Sequence, residues 1–228
     1  MSTLEVEPYF LAAARRTNGD EPLSPTQLAW LACARRKARG LAAGAYDVKA
    51  LNNLASGLSR LLRDPEAFDN LPTLFAEVGV RLVYLEAFPG SKMNGAAFML
   101  DNDSGQPVIA LSGRGKRLDF VLFTLLHEVA HLVLGDIDAD NVLIDEDSKH
   151  TLGDETATDG LAAKWAVPTD LPAPPRPIRQ NWVTLQAERA EVHPIVIVGR
   201  LQKTGLLEWR SQLVKGAPTV TEALEGWG

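Results

Sequence analysis

The chain has 228 residues, enough for one large domain or two small ones, and 46% of them are apolar, as a packed core requires. Its formal net charge of −6 argues against a general nucleic-acid binder, which needs clustered Lys and Arg to neutralise phosphates. Cys33 is the only cysteine, which excludes an internal disulfide and fits a reducing compartment.

One short basic run, Arg35, Arg36, Lys37 and Arg39, reads as a solvated helix face. The N-terminal stretch carries Glu5 and Glu7 and no apolar segment flanked by basic residues, so no signal peptide is expected. The longest nearly uncharged stretch, 118–134, holds Asp119, His127, Glu128 and His131 and is too short and too polar to span a membrane. The expectation is a cytoplasmic protein without membrane or direct nucleic-acid contacts.

In chain order, residues 1–23 read as a loosely docked leader. Ser24, Pro25 and Gln27 form a capping-box signature that opens a helix running to about Arg39. A second helix is expected over 48–63, with Leu51, Leu54, Leu58, Leu61 and Leu62 at helical spacing, and a third over 71–78, ending at Gly79. The period then changes to that of strands, over 80–87, 96–100 and 107–112, the last two joined as a hairpin by the turn DNDSG. Residues 119–134 read as a helix apolar nearly all round and therefore buried, with Asp119 as its cap and Gly135 as its stop. Residues 136–153 read as an acidic surface loop, 154–166 as a helix, and 168–177 as an extended proline-rich connection. Helices near 179–190 and from Pro194 follow, and the chain end reads as frayed. The sum is an α+β chain, mainly helical, with a small antiparallel sheet packed on helix 119–134. Its expected divisions are an N-terminal leader and helix over 1–45, read either as a docking segment or as the remnant of a fusion, a main domain over 46–215 and a flexible tail over 216–228.

The chemistry sits in HEVAH, 127–131. On a helix, positions i and i+4 share a face, so His127 and His131 are placed to grip one ion, with Glu128 beside it as general base. Imidazole and carboxylate ligands suit zinc. Two histidines and a glutamate also interrupt a helix that is otherwise built for burial, where an unpartnered charge is costly. The alternative, histidines satisfied by backbone carbonyls, needs no metal. A third protein ligand should come from a later element. Glu155 is the best candidate, with Asp159 one turn on to accept the spare N–H of a ligand histidine. Asp154 is the rival ligand, and the acids of 136–147 stand on a looser platform. For the oxyanion of the reaction, His193 is a candidate donor, set against a plain role as helix cap.

Three segments, in this order, resemble the ImmA/IrrE family of metallopeptidases. These are GAAFML…QPVIALSGRGKRLDFVLFTLLHEVAHLVLGD (95–136), DETATDGLAAKWAVP (154–168) and HPIVIVGRLQKTGLL (193–207). The resemblance covers about 45–215. The chain departs from the family pattern at Ala157, Thr158 and Leu161, while Glu155 and Asp159 match it. The resemblance implies a zincin-like fold holding one Zn2+ per chain. It also implies limited proteolysis of a helix-turn-helix repressor or antitoxin in a stress or prophage response. No helix-turn-helix is evident in 1–50, so the repressor would be a separate chain. Two further readings stand beside this one: a metal-containing module that sequesters its partner uncut, and a zinc site that only holds the helices together.

Overall fold

The computed structural model describes residues 15–16, 19–100, 105–137, 142–146 and 156–227. Among them the fold is α+β, with eight α-helices and a four-stranded sheet. Arg15–Arg16 (β1) and Gly19–Pro22 (β2) form a separate antiparallel ribbon. Helix α1, Pro25–Arg39, starts on the capping box read from the sequence: the Gln27 N–H donates to Ser24 Oγ (3.3 Å) and the Ser24 N–H to Gln27 Oε1 (2.8 Å). Helix α2, Val48–Leu61, buries Leu51 and Leu58 but leaves Leu61 exposed. A 3-10 turn over Pro65–Asn70 leads into α3, Leu71–Glu77.

The sheet is mixed rather than antiparallel. Strand β3, Arg81–Tyr84, runs parallel to β5, Pro107–Leu111; β4, Met93–Met99, pairs antiparallel with β5 on one side and with β6, Val142–Glu146, on the other. The order β3-β5-β4-β6 puts both strands of the expected hairpin in the interior, so neither offers a free edge; β3 and β6 are the outer strands. Strand β6 corrects the expectation of an irregular acidic loop over 136–153. Its VLI core has the β-branched, apolar character of a strand, and β4 supplies its ladder partner. Residues 138–141 and 147–155 lie outside the described residues.

Alternate side chains divide the sheet between two cores. Leu82, Ala97, Ile109 and Leu111 face the large helical core. Val83, Ala96, Phe98, Val108, Ala110, Val142 and Ile144 face Trp30, Leu31, Ala34 and Ala38 of α1. The sheet is thus covered on both sides, and α1 is a packing layer rather than an appendage. The basic run takes part: the Arg35 guanidinium is buried and donates to the Leu100 carbonyl, and Lys37 Nζ donates to the Tyr84 carbonyl (2.8 Å). These two cations satisfy strand-end carbonyls, while Arg36 and Arg39 of the same run are exposed, so the solvated face is only half of it.

Helix α4, Leu118–Leu134, runs through the large core, and no described helix is long and apolar enough to cross a membrane. Asp119 does not cap it. Arg117 is the N-cap residue without a side-chain cap bond, and Asp119 lies in the first turn, held by Arg117 Nε and Nη2 at 2.6 and 2.7 Å. Arg117 Nη2 also donates to Gln202 Oε1 (2.8 Å), which ties α4 to α7, Pro194–Lys203. Helices α5, Thr156–Ala166, and α6, Gln180–Ala190, complete this side. Where the sequence reads as frayed, Thr221–Gly226 forms α8; Leu224 and Trp227 are buried and Trp227 Nε1 donates to the Phe68 carbonyl (3.0 Å).

Gly199 marks a close approach of α7 to α4: a Cβ there would stand 2.3 Å from Asp119 Oδ2, a carboxylate that Arg117 holds in place. Alanine in mid-helix normally gains about 1 kcal/mol over glycine, whereas overpacking a fixed neighbour costs about 1–3 kcal/mol. Gly199→Ala is therefore expected to destabilise the chain in urea unfolding. A stabilised variant would show that the two helices do not meet there.

Candidate metal centre

The HEVAH turns lie in the C-terminal half of α4, deep in the molecule. His127 and His131 are each 3% exposed and Glu128 is fully buried. One helical turn apart, the two imidazoles meet edge to face, with rings at 87° and Nε2 atoms 3.1 Å apart. Both Nδ1 atoms point away from this meeting, each toward a carboxylate: His127 Nδ1 lies 3.1 Å from Asp159 Oδ1, and His131 Nδ1 lies 3.0 Å from Asp136 Oδ2. A proton held on each Nδ1 by its carboxylate leaves a lone pair on each Nε2. Two lone pairs facing at 3.1 Å repel unless a proton or a cation stands between them. Two ligands at Zn–N distances of about 2.0–2.1 Å accommodate that separation, so the donor set fits a zinc ion.

Local structure explains each partner. Gly135 ends α4 in the left-handed region (φ 79°), and its N–H and that of Asp136 both donate to the His131 carbonyl. That turn folds Asp136 back beneath the His131 ring. Thr158 Oγ1 donates to Asp136 Oδ2 (3.4 Å), bracing it from α5. Asp159, in the first turn of α5, has its other oxygen 3.8 Å from Lys203 Nζ at the end of α7. The His127 hydrogen bond holds the Asp159 carboxyl below its usual range, against burial, with Lys203 assisting. Burial, aided by His127, pushes the His131 imidazole down, which favours the neutral form a metal ligand needs.

Glu128 turns to the sheet. Its carboxylate lies where a side chain on Gly95 of β4 would be: a Cβ on Gly95 would stand 2.7 Å from Glu128 Oε1 and 2.9 Å from Thr124 Cγ2. On β6, Asp145 pairs across the ladder with Gly95, and Asn94 Nδ2 donates to Asp145 Oδ2 (3.3 Å). Burial pushes the Asp145 carboxyl up, against the pull of His127, Asn94 and Lys203.

His127, Glu128, His131 and Asp159 are thus brought together. Glu155 and its rival Asp154 lie outside the described residues, and among the described residues no three His, Cys, Asp or Glu side chains are grouped to hold an ion. His193 does not join the site. It is the N-cap of α7, where Nδ1 accepts the Ile195 N–H (3.1 Å), and the charges it feels are those of Asp119 and Arg63. Asp119 lies eight residues before His127 on α4, about 12 Å along the axis at 1.5 Å per residue. The cap role therefore replaces the expected oxyanion role.

Sequence reasoning missed Gly95, Thr158 and Lys203, and set Asp136 and Asp145 aside among the acids of 136–147. Asp136 had a signal, since it directly follows the helix-ending glycine. Asp145 was hidden in an acid-rich stretch. The chain matches no family model, and no curated protein matches it.

Proposed function

We propose that this chain is a zinc metallopeptidase of zincin type that makes limited cuts in a regulatory protein, a helix-turn-helix repressor or an antitoxin. The observation that carries the reading is the paired Nε2 atoms, 3.1 Å apart, with each Nδ1 anchored on a carboxylate. Anchoring carboxylates of this kind fix the tautomer and raise the basicity of ligand histidines. The substrate class rests on the family resemblance alone.

In this reading His127, His131 and Glu155 hold the ion, Asp159 and Asp136 orient the rings, and Glu128 is the catalytic residue. Bound zinc supplies a lowered pKa for the attacking water and polarises the scissile carbonyl. Glu128 takes the water's proton on its carboxylate and delivers it to the leaving amine nitrogen. Full burial keeps that carboxylate out of bulk solvent, and Gly95 leaves room for it against β4.

The first test is the metal itself. The purified chain is expected to bind one zinc per molecule, and Asp159→Asn to weaken binding by about 10–100-fold in competition with a chelating dye. A chain that binds no zinc, or an Asp159→Asn protein of unchanged affinity, contradicts this site. The second is the substrate. The partner to try first is a helix-turn-helix protein encoded beside this chain. Zinc-dependent fragments are expected; a stable complex with the partner left intact would make the chain a binding module.

A further inference from the structure

We propose that Asp145 reads a basic side chain of the polypeptide substrate, Lys or Arg, at a position next to the scissile bond. The inference rests on the peptidase reading above and names the substrate feature that this site selects.

Three observations place Asp145 for the task. The first is the face it occupies. Val142 and Ile144 enter the core beneath α1 while Leu143 packs on the helical core, so the alternation turns Asp145 toward α4. The second is what lies beside it. Its ladder partner is Gly95, whose α-carbon backs the Glu128 carboxylate, and adjacent strands are about 4.8 Å apart. His127 and Lys203 both act on it electrostatically. A residue flanking the bond on which Glu128 works comes within reach of this carboxylate.

The third is its incomplete pairing. Asp145 is only partly exposed, and its hydrogen-bond donor is the neutral Asn94 amide at 3.3 Å. Among the residues whose side chains are described, no Lys or Arg stands within ion-pair distance of it; Lys203 instead sits 3.8 Å from Asp159. A carboxylate drawn out of water toward a neutral donor is poorly compensated. A cation delivered by the substrate offsets that cost, and it does so only when the peptide is in place. The same partial exposure keeps Asp145 reachable, unlike Glu128. Its position on a strand, fixed by Asn94, makes the carboxylate a firm platform rather than a loop acid.

The test uses the full zinc-loaded chain and synthetic peptides. A randomised peptide mixture first gives the cleavage preference, expected to be Lys or Arg within two residues of the cut. A matched pair of peptides, one with Lys and one with norleucine at that position, then gives the ratio of kcat/KM. The wild-type ratio is expected to be about tenfold or more, the size of one close charge pair; Asp145→Asn brings it near one, and Asp145→Lys inverts it in favour of a Glu peptide. A basic preference that survives Asp145→Asn overturns the proposal. So does a cleavage profile with no basic preference, which leaves the peptidase reading intact. Zinc affinity is measured on the same variants. A loss of about tenfold or more in Asp145→Asn makes the residue an ion ligand and also overturns the proposal. If the loaded wild-type chain cuts no peptide in the mixture and no partner protein, the peptidase reading falls and takes this inference with it.

Discussion

Glu128→Gln is expected to keep zinc binding at the wild-type level and to lower cleavage by about 10²–10⁴-fold, the usual contribution of a positioned general base. The substitution is nearly isosteric. The fully buried side chain lies in the space that a side chain on Gly95 would fill, and an amide occupies the same space. His127 and His131 are expected to keep their carboxylate partners, Asp159 and Asp136, which the substitution leaves unchanged. What is lost is the acceptor of the proton. The measurement is a time course of fragment formation at saturating zinc, with metal content determined on the same samples. Cleavage at the wild-type rate would remove Glu128 from the chemistry. Loss of zinc together with cleavage would instead mean that the carboxylate holds the ion or the fold of the site. The pair of readouts is needed, since a fall in cleavage alone does not separate proton transfer from metal loss.

The local rules in this sequence were the reliable ones. The Ser24–Gln27 box, the Gly135 stop and the i, i+4 histidines are each settled by residues within one or two helical turns, and each stands as read. Asp159 was found by the same logic, one turn on from the candidate ligand Glu155 in the helix read from the sequence. The failures needed distant partners. Strand β6 exists because β4 offers a ladder, yet its five residues sit among acids that suggest solvent. The parallel pairing of β3 with β5 depends on a crossing connection that no local signal specifies. Asp119 is a residue type that caps helices, but Arg117 claims it, and the same guanidinium donates to Gln202 and so bridges α4 and α7. His193 was read both as a candidate oxyanion donor and as a helix cap; its backbone position, directly before Pro194 at a helix start, decides for the cap.

Leu125→Ala is expected to cost about 2–5 kcal/mol of stability, the range for emptying a well-packed leucine site. Leu122, Leu125, Val129 and Leu132 follow one another at three- and four-residue steps, and all four are buried, Leu125 completely. They form the stripe of α4 that locks it into the large core. Leu134, on the same helix, is 44% exposed, so Leu134→Ala serves as the control and should stay within about 0.5 kcal/mol. The unfolding should be done in the presence of a chelator. A ligand that binds only the folded state adds a stabilisation that depends on its free concentration, and zinc would otherwise mask part of the loss. The loss should appear as a lower urea midpoint with an unchanged slope, since the buried area that sets the slope is nearly the same. A Leu125→Ala midpoint no lower than that of Leu134→Ala would mean that α4 presents a different face to the core. The histidines would then have to be placed afresh, because the face that carries them is fixed by the face that packs.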